Sequence, residues 1–519
     1  MQTYKQIEKD LSREIVWKHS VESLTKNREQ NRILSNKYIQ RLWDYSFEDV
    51  LLKHNLVKSK KERFIEDWLI FSDSIYQSKK PENLKVAYFC GPEPENDVEK
   101  LTDLGVRVEN IWAFENDNKH FKIALESIKG NYPTLKIING RIESFLKTSP
   151  IVFDIIYLDF TTSLISKNSS PYKVIHDVFD HQALSDLSIL ITNSCFPDKN
   201  DENIEFLASF FKNQSWIEPG ILLGSTIDFE DGRLMESLDC HGIWKDEEVF
   251  DLIKTNFEYA YSAFASQYPM AYSNFIQPIF RILSNSFNTK RIFETDKSII
   301  SKNIKRFEGL DDLWERPSDF SLYNFVDGLK GGSSVSGKFK KTYSDKFNGI
   351  SRFEAIKLMY AYKESIYENF IEILSDSLKT AIPKLKQVIP DNRGGLFCDV
   401  PMEHLWLELA INQIGYPYHS NSLNHRRYNY IAKKREMALD IFTFDKCRAF
   451  YDWLPMVEYY IDDLSTIERQ IITRSCMDAI GKHTLQNNLD ELYKGSALLG
   501  ILERSYSDHY NIPLREKIE

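Results

Sequence analysis

The stretch Val86–Leu101, VAYFCGPEPENDVEKL, sets the reading of the whole chain. An apolar run ends at Gly91, and residues at helical spacing follow as far as Gly105. A strand, a turn and a helix in this order form the unit that cradles nucleotide-like ligands, with glycines letting the backbone come close. Here one glycine is followed by Pro92, Glu93 and Pro94, and proline has no N–H to offer and no access to positive φ.

The same cadence repeats downstream. NIWAFE reads as a second strand and NKHFKIALESIKG as a helix with a glycine stop. LKIIN is a third strand, RIESFLK a short helix and FDIIYLD a fourth strand. YKVIHDVFDHQALSD is helical, LSILITNS is a fifth strand, and DENIEFLASFFKN is helical again. This alternation predicts an α/β fold with a doubly wound, mostly parallel sheet over residues 81–220, flanked by largely α-helical N- and C-terminal regions.

Residues 1–80 contain no glycine or proline and carry apolar residues at helical spacing, which predicts a helical N-terminal region. Residues 221–327 read as helical, and 328–349, GLKGGSSVSGKFKKTYSDKFNG, as a flexible linker. A mainly helical C-terminal domain is expected over 350–519, with helices near 352–378, 403–413 and 457–480 and one strand, MALDIFTFD.

Composition narrows the classes. With 519 residues the chain is too long for one ordinary core, and 42% hydrophobic residues are ample for packed ones. A net charge of −10 excludes a protein coated in basic surface for bulk nucleic-acid binding. Six dispersed cysteines without a CxxC pair, a charged N-terminus and the lack of any 18-residue apolar run lead us to expect a cytoplasmic protein with reduced thiols.

In such a sheet, ligands bind where the strands end. The first strand delivers Cys90, Gly91 and Glu93, and the second Glu115 and Asp117. The third delivers Arg141 and Ile142 after Gly140, and the fourth Asp159 before Phe160-Thr161-Thr162. Glu115 stands 24 residues after Gly91, where a carboxylate can accept two hydrogen bonds from a ribose diol.

On these residues the stretch from about Leu84 to Asn213 resembles the class I S-adenosylmethionine-dependent methyltransferases. The resemblance implies S-adenosylmethionine as cofactor, with Cys90, Gly91 and Glu93 in the loop beneath it and Glu115 and Asp117 toward the ribose. It also implies Arg141 and Ile142 toward the adenine, and Asp159 facing the methyl group, where it is the candidate general base. The fourth strand ends in DFTT, without the prolines and terminal aromatic of enzymes that methylate exocyclic amines of DNA bases, and no Pro-Cys nucleophile motif is present. The expected function is therefore a methyltransferase of unknown substrate. The alternative is a catalytically silent relative that binds the cofactor or assembles with partners. A nicotinamide enzyme would need GxGxxG, which Gly91 alone does not supply.

Two other stretches invite chemistry. GGSSVSGKF approaches a phosphate-binding loop, but Phe339 stands where Mg²⁺ binding requires Ser or Thr, so the linker reading is preferred. YPYHSNSLNHRRYNYIAKKR interleaves tyrosines with Arg426, Arg427, Lys433, Lys434 and Arg435, a composition able to meet nucleic acid or phosphate, although a solvated basic loop is the preferred reading. His404, His419, His425 and Cys398 lie near one another without zinc-motif spacing.

Overall fold

The computed structural model describes residues 7–44, 61–167, 171–211, 229–230, 233–234, 246–293, 334–356, 374–380, 402–454, 472–473, 475–477, 479–480 and 514–518. Its centre is one large sheet. The strands β1 (Val86–Phe89), β2 (Ile111–Glu115), β3 (Lys136–Asn139), β4 (Phe153–Asp159) and β5 (Leu184–Cys195) lie in the order β3-β2-β1-β4-β5, all parallel. Val86, Ala87 and Tyr88 are all buried, as the unbroken apolar run required of a strand covered on both faces.

The sheet does not stop at β5. A hairpin of β6 (Arg426–Ala432) and β7 (Arg435–Asp445) extends it, with β7 antiparallel to β5 from Met437↔Cys195 to Asp445↔Leu187. Short strands His419–Ser420 and Glu516–Lys517 pair with β7 and β6. The sheet is therefore mixed: β7 runs against its neighbours, while β1 to β5 form the parallel part that was expected. Strands from the region beyond residue 350 thus complete the same sheet as β1 to β5.

Helices cover both faces. Tyr88 and Tyr157 are register neighbours, and Trp17 of α1 (Ile7–Leu24) packs edge-on against both, with ring centroids 6.2 and 5.5 Å away. Phe114, one pleat position beyond Ala113, faces the other way and meets Phe145 of α6 (Ile142–Thr148) at 5.2 Å. Between these helices in the chain come α2 (Asn36–Asp44), α3 (Lys61–Ile75), α4 (Glu95–Asp103) and α5 (Asn118–Ile128). The N-terminal region is not separate either. Tyr76 and the Ile33 N–H both donate to Asp445 at the end of β7.

Beyond α6, α7 (Pro171–Asp180) leads back to the start of β5, and α8 (Asp201–Phe211) follows it. The expected helical region contributes α9 (Asp246–Thr255), α10 (Phe257–Ala271), α11 (Gln277–Ser284) and α12 (Ser286–Ile292), with one π-helical turn, Tyr272–Ile276, between α10 and α11. The expected linker contains a helix in its described part: α13 (Ser334–Ser344) buries Val335, Phe339, Thr342 and Tyr343, an i, i+4, i+7, i+8 stripe that its Gly and Ser content hides. Phe339 stacks on Tyr172 at 3.7 Å, so this segment is core and not a phosphate loop. Then come α14 (Met402–Gly415) and α15 (Arg448–Trp453). The helix expected near 457–480 lies almost wholly outside the described residues. No described helix is long and apolar enough to cross a membrane.

Candidate active site

The order β3-β2-β1-β4-β5 reverses direction at β1, and this makes a crevice beyond the ends of β1 and β4. Gly91 lies there with φ +61°, and a Cβ built on it meets nothing within 4 Å. Backbone at this point is open to a ligand, and only glycine takes the conformation without strain. Pro94 turns the chain into α4 and accepts a hydrogen bond from the Tyr88 hydroxyl at 2.9 Å, so the proline-rich loop is braced from below.

Glu115 ends the neighbouring strand. One carboxylate oxygen accepts from the Asp117 N–H at 2.7 Å, and the other has no partner among the described residues. Asp117 itself caps α5, accepting from the N–H groups of Lys119 and His120, and these bonds lower its pKa. Cys90 is buried, with its thiol toward the Phe114 carbonyl, and burial followed by the nearby Glu115 carboxylate pushes its pKa far up. Glu93 is exposed and accepts from the Asn96 amide at 3.1 Å. Arg141 is exposed at the start of α6, whereas Ile142 is buried in the core. Gly91 and Glu115 are thus brought together with usable groups, while the side chains of Cys90, Asp117 and Ile142 have structural work.

Asp159 is where the fourth strand was expected to deliver it, but it is not alone. Its Oδ1 accepts from the Asn193 amide at 2.7 Å, and its Oδ2 is 3.1 Å from Lys9 Nζ. The Asn193 amide also donates to the Tyr430 hydroxyl at 2.6 Å. Burial, then the Asp159 charge, pushes the Tyr430 phenol up, so it stays protonated. Two buried polar atoms in this cluster, Asn193 Oδ1 and the Tyr157 hydroxyl, have no hydrogen-bond partner among the described residues.

α1 closes the cluster from above. Glu8 accepts from the Ile431 N–H on β6, and Arg13 lies 3.5 Å from Asp97, which also accepts from Trp17 at 2.9 Å. Burial raises the pKa of Asp97, with Arg13 and Trp17 working against it. Sequence reasoning missed Lys9 and Asn193, and read Tyr430 only as one of the tyrosines of the basic stretch. Asn193 left a signal, an amide inside an apolar strand. Lys9 left none.

In the basic stretch Arg426 and Arg427 have partners within the protein, while Lys433, Lys434 and Arg435 are exposed. Arg427 is buried and donates to the Ser262 hydroxyl, beside Asp440. Arg426 donates to the carbonyls of Leu423 and His425, and Lys433 and Lys434 form the positive-φ turn between β6 and Arg435, which opens β7. His419 and His425 bond to Tyr451 and Asp440, respectively.

No protein-family model and no curated protein matches this chain. Among solved structures it is similar to an S-adenosylmethionine-dependent methyltransferase from Clostridium acetobutylicum ATCC 824, at 17% identity over 30% of this chain and 56% of that one, with a TM-score of 0.18. It is also similar to the mitomycin 7-O-methyltransferase MmcR, at 14% identity over 31% of this chain and 44% of that one, again with a TM-score of 0.18. The chain spans about half the length of each.

Proposed function

We propose that the crevice beyond β1 and β4 binds S-adenosylmethionine and that the chain is a methyltransferase. The observation that carries this reading is the pairing of an open, left-handed Gly91 with the half-free carboxylate of Glu115 on the adjacent strand end. The cofactor would supply an electrophilic methyl group. The residues fit it: Gly91 admits a close backbone approach, Glu115 has an oxygen left to accept from a diol, and Asn193 and Tyr157 offer unpaired polar atoms. Asp159 orients through Asn193 and Lys9, and it takes a proton from an acceptor only after one of those contacts yields.

That last point favours a second reading. With both oxygens of Asp159 engaged, the crevice also suits a protein that binds the cofactor and transfers nothing. Calorimetry with S-adenosylmethionine and its demethylated product tests the shared part, and absence of heat with folded protein removes both readings. Transfer of tritium from labelled cofactor to a nucleic-acid, protein or metabolite pool selects the enzyme.

A further inference from the structure

A second concave site lies at the other end of the sheet. It is a cleft of about 640 Å³ lined by Asp180 and His181 at the end of α7, Gln182 in the turn into β5, Arg281 of α11, Asn288 of α12 and Asn348. β5 runs from Leu184 beside this cleft to Asn193 in the crevice, a separation of roughly 30 Å at the rise of an extended strand. The volume is that of a small-molecule site.

Its charges do not balance. Asp180 is spent: one oxygen accepts from the Tyr272 hydroxyl at 2.7 Å and the other pairs with Arg352. The Arg281 guanidinium is half-buried and makes no ion pair or hydrogen bond among the described residues, resting 5.1 Å from the ring of Tyr416. Nearby Lys446 is buried over the Tyr418 ring at 4.8 Å, and its nearest carboxylate, Asp186, is 3.8 Å away. Burial first, and then the neighbouring Arg281 and Arg448, lower the Lys446 pKa to about 8 against the pull of Asp186. The side chains of Ser286 and Asn288 also line the cleft, with no side-chain hydrogen bond among the described residues. A half-buried guanidinium without a counterion, facing a ligand-sized cleft with spare donors, is completed by an anion.

We propose that this cleft binds a small oxyanion-bearing molecule, a phosphate or carboxylate held by Arg281 with Asn288 and Ser286. The site is separate from the crevice and does not depend on the methyltransferase reading.

The test uses the full chain. Inorganic phosphate and citrate are titrated at constant ionic strength, with melting temperature and calorimetric heat as readouts. Saturable binding of either anion that weakens at least tenfold in Arg281→Gln, and is unchanged in Lys129→Gln, supports the site. Should Arg281→Gln fail to fold, Asn288→Asp places a carboxylate in the same cleft and is expected to abolish anion binding in a folded protein. A response that does not saturate, or that survives Arg281→Gln or Asn288→Asp, marks an adventitious ion only and overturns the proposal. Calorimetry with S-adenosylmethionine on the same variants is expected to be unchanged.

Discussion

Lys9, on the first helix, is 3.1 Å from Asp159, at the tip of the fourth strand and 150 residues further along the chain. Both side chains are partly exposed, so the pair contributes little to global stability, about 0–1 kcal/mol. Its effect is local, because it pins the first turn of α1 over the crevice. Lys9→Met is expected to leave the melting temperature nearly unchanged and to speed amide exchange over residues 7–13. Mass-spectrometric hydrogen exchange checks this, and unchanged exchange would show that Glu8 and Arg13 hold the turn without Lys9.

Glu115 has a carboxylate oxygen to spare beside Gly91. Glu115→Ala is expected to weaken S-adenosylmethionine binding about tenfold or more, the worth of a charge-assisted hydrogen bond. Glu115→Gln keeps an acceptor and is expected to lose less. Equal affinities for all three proteins, measured by calorimetry, would remove Glu115 from the ribose.

Asp440 is fully buried among His425, Arg427 and Arg515, with Arg515 Nη2 at 2.6 Å. Burial alone would raise its pKa, but Arg515, then His425 and Arg427, overcome that and hold it well below the usual carboxylate range. A depressed folded-state pKa gives stability that is present above the ordinary value of 3.8 and is lost as pH falls below it. Asp440→Asn leaves buried cations unpaired and is expected to cost about 3–5 kcal/mol at neutral pH. Denaturant melts of both proteins should converge as pH falls below about 4.

Asp177 has the opposite sign. Burial, then the nearby Asp180, pushes it up to about 7 from an ordinary 3.8. Its charged form is therefore disfavoured in the folded state, and stability falls as pH rises from about 4 through 7. Asp177→Asn is expected to raise stability at pH 8 by about 1–3 kcal/mol and to be neutral near pH 4. Thermal melts across that range decide it.

Gly415 ends α14 against α11, where a Cβ would come within 2.7–2.9 Å of Pro278 side-chain and backbone atoms. Backbone cannot step aside cheaply. Gly415→Ala is expected to destabilise by about 1–3 kcal/mol, read from the denaturation midpoint.

The strands β1 to β4 were legible because each is an apolar run that stops at a glycine or an acid, and Gly91, Glu115, Gly140 and Asp159 sit at those stops. The hairpin was half legible. MALDIFTFD reads as a strand, but its pairing with β5 spans some 250 residues and leaves no local trace. β6 was hidden by its charges: RRYNYIA alternates, yet Arg427 on its buried side is neutralised by Asp440, a partner that only the fold supplies. The same holds for α13, whose apolar stripe is diluted by Gly337 and lysines. Lys9 could not have been foreseen, because a lysine on a polar helix carries no mark of what it will meet.

The pairing of β5 with β7 also has a consequence for synthesis. When Cys195 leaves the ribosome, the edge that β7 will cover is bare, and Asp445 lies 250 residues away. At about 5–20 residues per second, that edge waits roughly 12–50 s for its partner. An apolar strand left open for so long is a template for pairing with another nascent chain. The order of assembly, more than the finished sheet, is thus the stage at which this protein is exposed to mispairing.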